Sequence, residues 1–402
     1  MTSILFVNRF YWPDILGTGK TLTELAEDLA IAGKKISVLA SNTAAYDPSQ
    51  RYAPDEAAGG VVIHRVTAAR FDRRKVWGWL LNALLFYPAV LLRLLSMPRH
   101  DVTVFLTDPP LLFVLGPIVR RIRGTKFVCW SQDLYPDVAV ELGVLSRRSP
   151  VTVVCRWLSG WALRRADLVV ALGETMKERL VARGVVADRI AVVHVWADKK
   201  VAYPVQEADN WFLEKHGLKG KFVVSYAGNM GLSHEFATVL DAARSLRQYE
   251  DVVFLFIGDG KQLRRVEEQA QDVRAVFLPF QPEEQVAYSL SAASVHVVTL
   301  KAGLEGVLVP KKLYGALAVA RPVIFVGPER SEVAQVISEA MCGFVVEQGD
   351  ADGFVAAVQR LKAGTGERQA MGKRAYEAFV AKYERKIGTA KIRELLEKVA
   401  AQ

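Results

Sequence analysis

FVVSYAGNMG, from Phe222 to Gly231, sets an apolar run directly against a glycine-bearing turn. The pattern returns as VVFLFIGDG at Val252–Gly260, VPKKLYGALAVARPVIF at Val309–Phe325 and CGFVVEQGD at Cys342–Asp350. Short apolar runs bounded by glycine predict strands buried on both faces, and the segments between them predict helices. Glycine lets the backbone approach a ligand closely. Several such turns at the carboxyl ends of parallel strands make a place where N–H groups hold phosphate.

The upstream half repeats the alternation. Ile4–Asn8 reads as a strand. Thr21–Ala32 is amphipathic, with Leu22, Leu25, Leu29 and Ala32 on one face, and Gly33 ends it. Strands follow at Ile36–Ser41 and Val61–Val66, separated by a polar loop from Asn42 to Gly60. More are predicted at Val102–Leu106, Lys126–Trp130, Leu168–Ala171 and Ile190–Val195, with helices at Val151–Arg165 and Thr175–Arg183. The fold class is therefore α/β: two Rossmann-like β/α/β domains facing a cleft. The first is expected over 1–198 and the second over 199–375, joined by a polar linker from Ala197 to Gly220. A helical tail is expected over 376–402.

At 402 residues the chain suits two domains, at about 100–200 residues each. Apolar residues make up 51%, enough for a full core in each. Cys129, Cys155 and Cys342 lie far apart in or beside apolar runs, so buried reduced thiols are expected, as in a cytosolic protein. The six histidines are scattered without ligand spacing, so no metal is expected. The formal charge of +9 attracts anions. No zinc knuckle, RNP-type strand or compact Lys/Arg block accompanies it, which argues against nucleic acid. The chain enters a strand at once, without a basic n-region, so no signal peptide is read.

One stretch bears on membranes: VWGWLLNALLFYPAVLLRLLSM, Val76–Met97. It is long enough to span, but Asn82, Pro88 and Arg93 interrupt it. Trp77, Trp79, Phe86 and Tyr87, preceded by Arg70, Arg73, Arg74 and Lys75, describe helices near 74–97 lying in the bilayer interface. A buried helix pair kinked at Pro88 is the alternative.

Candidate site residues come from the turns. GTGKT at Gly17–Thr21 imitates a P-loop, but the required first glycine is Asp14, so ATP binding through it is rejected. Gly17 and Thr18 remain as a loop open to a ligand, or as a simple turn. In AGNMG, the Gly228–Gly231 amides would face a diphosphate, reinforced by a following helix dipole; an ordinary turn is the alternative. In KAGLEGVLVPKK, Lys301–Lys312, the Val307–Val309 amides and Lys312 would neutralise a leaving phosphate, and Glu305 would bind sugar hydroxyls. In SQDLYPDVAVELG, Ser131–Gly143, one of Asp133, Asp137 and Glu141 would orient an acceptor or act as base, with helix capping as the alternative. Asp350 and Asp352 imitate a DxD metal motif, but the apolar helix after them points to N-capping.

DPPLL at Asp108–Leu112, QDLYPD at Gln132–Asp137, ELGVL at Glu141–Leu145, YAGNMG at Tyr226–Gly231, FIGDG at Phe256–Gly260 and VPKKLY onward from Val309 occur in a telling order. Together they make the chain resemble glycosyltransferase family 4, retaining enzymes of the GT-B fold. The likeness is greatest to the WbuB-like branch that builds bacterial O-antigen, capsule and exopolysaccharide. The resemblance implies a nucleoside-diphosphate sugar, a UDP-sugar, held by the second domain without metal or other cofactor. It implies a glycan or polyprenyl-diphosphate-linked acceptor at the first, on the cytoplasmic face of the inner membrane. By match, Gly228, Asn229, Gly231, Gly258 and Lys312 would contact the diphosphate, and Glu305 to Leu308, Val307 included, the sugar and phosphates. Gly17, Thr18 and Asp137 would lie on the acceptor side. The family's two glutamates of the sugar loop are replaced by Val307 and Gly315, and its arginine and lysine after the diphosphate turn by Asn229 and His234. Those departures shift the cationic role onto Lys312. They also keep two other readings open: a UDP-sugar epimerase of the same fold, and a non-catalytic assembly subunit.

Overall fold

The computed structural model describes residues 2–14, 17–44, 47, 49–67 and 76–402, the side chains of 76–84 excepted. The chain forms two units, Met1–Val193 with Thr389–Gln402, and His194–Gly388.

The first unit carries eight strands: β1 Ser3–Val7, β2 Lys35–Ser41, β3 Asp55–Ala58, β4 Val61–Val66, β5 Val102–Phe105, β6 Lys126–Trp130, β7 Leu168–Ala171 and β8 Ile190–Val192. Their order is β3-β4-β2-β1-β5-β6-β7-β8. All neighbours are parallel except β3 on β4. Sequence reasoning reads β3 as loop, because DEAA has no apolar run. It forms as an edge strand on β4, with Asp55 and Glu56 beside His64 and Arg65.

The second unit carries β9 Phe222–Ala227, β10 Val252–Ile257, β11 Ala275–Leu278, β12 Val295–Thr299, β13 Val323–Val326 and β14 Gly343–Val346, in the order β11-β10-β9-β12-β13-β14. Every neighbour pair is parallel. The period of two explains why the strands are apolar throughout. Phe222, Val224, Tyr226, Val252, Phe254 and Phe256 pack under the helices Ala237–Ser245 and Ala351–Ala363. Val223, Val253, Leu255 and Ile257 face the other way, onto Phe212, Leu213 and Leu218. Each such side chain contributes about 1.5–3 kcal/mol of burial.

The expected domain limits need correction. Ala197 and Asp198 are not linker: the Ala197 amide donates to the Tyr383 carbonyl over 3.1 Å, and Arg385 pairs with Asp198 at 3.0 Å. These bonds draw the chain from His194 onward into the second unit. Nor is 376–402 a separate tail. Tyr376 lies within the helix Thr365–Ala378, whereas Ile392, Leu396 and Val399 are buried on the helix Arg385–Ala401, whose Glu397 pairs with Lys34 of the first unit's sequence.

Asp350 caps the helix Ala351–Ala363, its carboxylate accepting the Gly353 N–H at 2.8 Å, as N-capping requires. Cys129 and Cys342 are buried free thiols whose pKa values burial pushes up to about 12, while Cys155 is half-buried.

Candidate functional site

In the second unit the chain leaves β9 toward β10 on one side, while β12 flanks β9 on the other. That reversal of strand order is where open α/β sheets bind ligands, at the carboxyl ends. Three segments gather there: the turn after β9, the turn after β10, and the loop between β12 and the helix Lys312–Ala318.

The two turns interlock. The Gly228 amide donates to the Ile257 carbonyl over 2.8 Å, and the Met230 amide to the Asp259 carbonyl over 2.7 Å. Gly228 and Gly258 adopt φ of 138° and 137°, which only glycine takes without strain. Gln262 fastens the turn from below, its side-chain amide donating to the Gly231 and His234 carbonyls at 2.6 and 3.0 Å.

Lys312 crosses this turn. A β-carbon on Gly228 would stand 3.0 Å from its Cε, so the glycine makes room for the lysine stem. The ammonium donates to the Tyr226 hydroxyl at 2.8 Å and lies 2.9 Å from His234 Nε2. The Tyr226 hydroxyl donates onward to the Asn229 carbonyl at 2.9 Å, and His234 Nδ1 lies 2.7 Å from the Thr299 carbonyl. Burial pushes the Lys312 pKa down to about 7 and that of His234 down to about 3. A cation enclosed by neutral groups at a sheet's carboxyl edge is a site for an anion.

The expected cradle of amides is only partly available. Those of Gly228 and Met230 already donate within the protein, and among the described residues only Asn229 and Gly231 of this turn keep an N–H without a protein acceptor. The Val307 and Leu308 amides both turn back onto the Leu304 carbonyl, at 3.0 and 3.4 Å, and the Val307 side chain is fully buried. The expected helix dipole is also misplaced. The next helix begins only at Ala237, and the buried Glu235 carboxylate already accepts its Thr238 N–H at 3.1 Å. Glu305 folds onto its own loop, accepting the Gly303 N–H at 2.8 Å. What the fold leaves at this turn is the Lys312 ammonium with the Asn229 and Gly231 amides.

In the first unit, Gly17 has φ of 47° and opens the helix Thr18–Ile31, and the Thr18 hydroxyl accepts from Asn8 Nδ2 at 3.1 Å. Asp137 stands elsewhere in its chemistry than expected. Its carboxylate is held by Arg156 at 3.2 Å and by Arg183. Each of its two oxygens is thus engaged by an arginine, and the geometry ties Asp137 to structure. Glu141 pairs likewise with Arg147 at 2.6 Å. Sequence reasoning passed over Asn8 and Gln132, at the carboxyl ends of β1 and β6. Both are buried, yet Asn8 Oδ1 and both polar side-chain atoms of Gln132 have no protein partner among the described residues. Buried polar groups left so are costly unless a ligand meets them.

A surface was missed as well. On the helix Pro150–Leu163, Val151, Val153, Val154 and Trp157 are exposed, Trp157 by 63%. Arg147, Arg148, Arg164 and Arg165 flank them. The helix Val76–Ser96 buries Phe86, Val90 and Leu94 and exposes Leu85 and Leu92. Both helices pack on the turn Leu112–Leu115. The expected anchors Arg70, Arg73, Arg74 and Lys75, and the side chains of Trp77 and Trp79, lie outside the described residues. Among the described residues no helix is long and apolar enough to cross a membrane, and no cluster of His, Cys, Asp and Glu has the form of a metal site.

A cavity of about 480 Å³ in the second unit lies at the amino ends of the strands, away from these turns, lined by Lys221, Ser294, Pro322 and Arg321. Arg321 is engaged there with carbonyls, including Ala293 at 2.7 Å and Ser291 at 2.8 Å.

Comparison with known proteins gives the family. Residues 17–196 match the glycosyl transferase 4-like domain, and residues 210–378 match the glycosyl transferases group 1 family. The chain belongs to the group 1, family 4 glycosyltransferases, with the GT-B fold. It is 29% identical over 249 residues to WbjE of Pseudomonas aeruginosa, named a probable glycosyltransferase; the match covers 61% of this chain and spans only 62% of that relative's length. It is 24% identical over 385 residues to WcaI of Escherichia coli K12, named for glycosyl transfer in colanic acid biosynthesis, covering 89% of this chain and 91% of that one. Among solved structures, sucrose-phosphate synthase from Thermosynechococcus elongatus superposes with a TM-score of 0.79 at 19% identity, over 100% of both chains. HepE of Anabaena, solved with UDP, gives 0.75 at 14% identity, over 99% of this chain and 100% of that one. WaaG, a glycosyltransferase of lipopolysaccharide biosynthesis, gives 0.71 at 14% identity, over 99% of this chain and 98% of that one.

Proposed function

We propose that the chain is a retaining, metal-independent enzyme that moves a sugar from a UDP-sugar to a glycan or polyprenyl-diphosphate-linked acceptor. Its work is assembly of O-antigen, capsule or exopolysaccharide at the cytoplasmic face of the inner membrane. The observation that carries this reading is Lys312, a half-buried cation set between Tyr226 and His234 at the sheet's switch point. WbjE and WcaI, and the UDP bound by HepE, support it.

When the bond between sugar and diphosphate breaks, negative charge grows on the leaving oxygen. A fixed ammonium and the Asn229 and Gly231 amides stabilise that charge more in the transition state than in the ground state. On the acceptor side, Asn8 Oδ1 and the Gln132 amide offer unpartnered polar atoms suited to sugar hydroxyls. The exposed Val151, Val154 and Trp157, with arginines on their flanks, suit the surface of an anionic bilayer.

The test is transfer from labelled UDP-sugars to polyprenyl-diphosphate-linked acceptors in vesicles. Transfer by the native protein, lost on Lys312→Met, supports the proposal. An epimer formed without acceptor, or nucleotide binding with no turnover on any acceptor, rejects it in favour of the epimerase or the assembly subunit.

A further inference from the structure

The cage around Lys312 has a fixed direction. A carbonyl only accepts, so His234 must carry its proton on Nδ1, where it donates to Thr299 over 2.7 Å. Nε2 then bears a lone pair toward Lys312 Nζ, 2.9 Å away. The Tyr226 hydroxyl likewise uses its proton on the Asn229 carbonyl and turns a lone pair to Lys312. Two acceptors fix two N–H bonds of the ammonium, and the third is left for a ligand.

We infer that His234 is a positioning residue for the Lys312 ammonium, and that this pair makes capture of a diphosphate at the Gly228 turn take up a proton. The inference rests on the donor site proposed above. Other charged and titratable groups near the cage are Glu235 of the same turn, Asp259 after β10, Lys301 and Glu305 after β12, and Lys311 beside Lys312. Glu235, Asp259 and Glu305 each accept a backbone N–H, from Thr238, Gly260 and Gly303. Lys301 adds positive charge near His234 and helps keep it neutral. Lys312 thus rests among lone pairs with no ion pair to a carboxylate among the described residues, and burial brings its titration to about 7. A bound diphosphate supplies the missing counter-charge and restores the proton above that pH.

The experiment follows Lys312 by lysine 15Nζ and 13Cε shifts, assigned with Lys312→Met, in the full chain without ligand. His234→Asn keeps an N–H for Thr299 but has no atom at the Nε2 position, and its Lys312 titration drops by about one pH unit. His234→Gln, whose amide oxygen reaches that position, restores it. Affinity for UDP-glucose at pH 7.5 falls roughly ten-fold in the asparagine variant and recovers in the glutamine one. Calorimetry at pH 8 in buffers of different ionisation heat reads close to one proton taken up. Equal titration in native and asparagine proteins overturns the positioning role, and no proton uptake overturns the linkage. Should the asparagine variant unfold, 15N spectra of native His234 decide: a proton on Nε2 overturns the inference. If the titrations behave as described but no UDP-sugar binds, the donor reading fails while the role of His234 stands.

Discussion

A β-carbon on Gly258 would stand 2.2 Å from the carbonyl oxygen of Gly228. The turns after β9 and β10 are therefore in backbone contact, and the position of one sets the other. Gly258→Ala adds that clash to the strain of φ at 137°. The expected loss is about 2–4 kcal/mol of stability, by overpacking and backbone strain together, with nucleotide affinity falling further. Urea denaturation and UDP binding measure both; an unchanged midpoint rejects the interlock.

Lys312→Met separates catalysis from stability. Removing the cation lowers kcat by about 10²-fold, the usual scale for a lost donor to a developing anion. Stability should not fall with it, because the lysine carries a burial cost. The sign follows from the depressed pKa. Between about 7, where the folded protein titrates, and the ordinary lysine value of 10.5, the unfolded chain binds more protons. This residue thus makes stability rise with pH across that window, with the gain lost as pH falls through about 7. Melts from pH 6.5 to 10 read the difference: the native-minus-methionine slope is positive, and a flat difference rejects the buried ammonium.

Asp137→Asn leaves Arg156 and Arg183 facing an uncharged group. The expected outcome is a loss of roughly 1–3 kcal/mol, the cost of breaking charged hydrogen bonds, with kcat changed by only a few-fold. Steady-state kinetics on a folded variant decide the matter. A drop of about 10²–10⁴ would restore Asp137 as a base.

Trp157→Ser with Val154→Ser removes exposed apolar area without touching the core. Flotation with anionic vesicles should weaken, more so at high salt because exposed charges are screened, while the melting temperature stays put. Undiminished flotation at low salt places the membrane surface elsewhere on the chain.

Much of this was legible in the sequence. FVVSYAGNMG and VVFLFIGDG announced parallel strands ending in glycine turns, because apolar runs and glycine act over a few residues. Lys312 was also visible, as the cation left after Asn229 and His234 replace the family's basic pair. What failed shares one cause: each failure concerned a partner that only the folded chain brings into reach. β3 forms only because β4 pairs with it, and its salt-bridged Asp55 and Glu56 look like loop residues. Asp137 looks like a free carboxylate until the fold brings Arg156 and Arg183 to it. The amides of Val307 and Leu308 look available until the loop closes on Leu304. Ala197 and Asp198 look like linker until Tyr383 and Arg385 bind them.

Local periodicity and short motifs were enough for two parallel α/β sheets, their glycine turns and the group of enzymes to which the chain belongs. How Lys312 is aimed came from the folded chain alone. Its hydroxyl and imidazole partners lie 86 and 78 residues away along the chain. Burial and lone-pair direction exist only once β9, the following turn and the helix of Lys312 stand side by side.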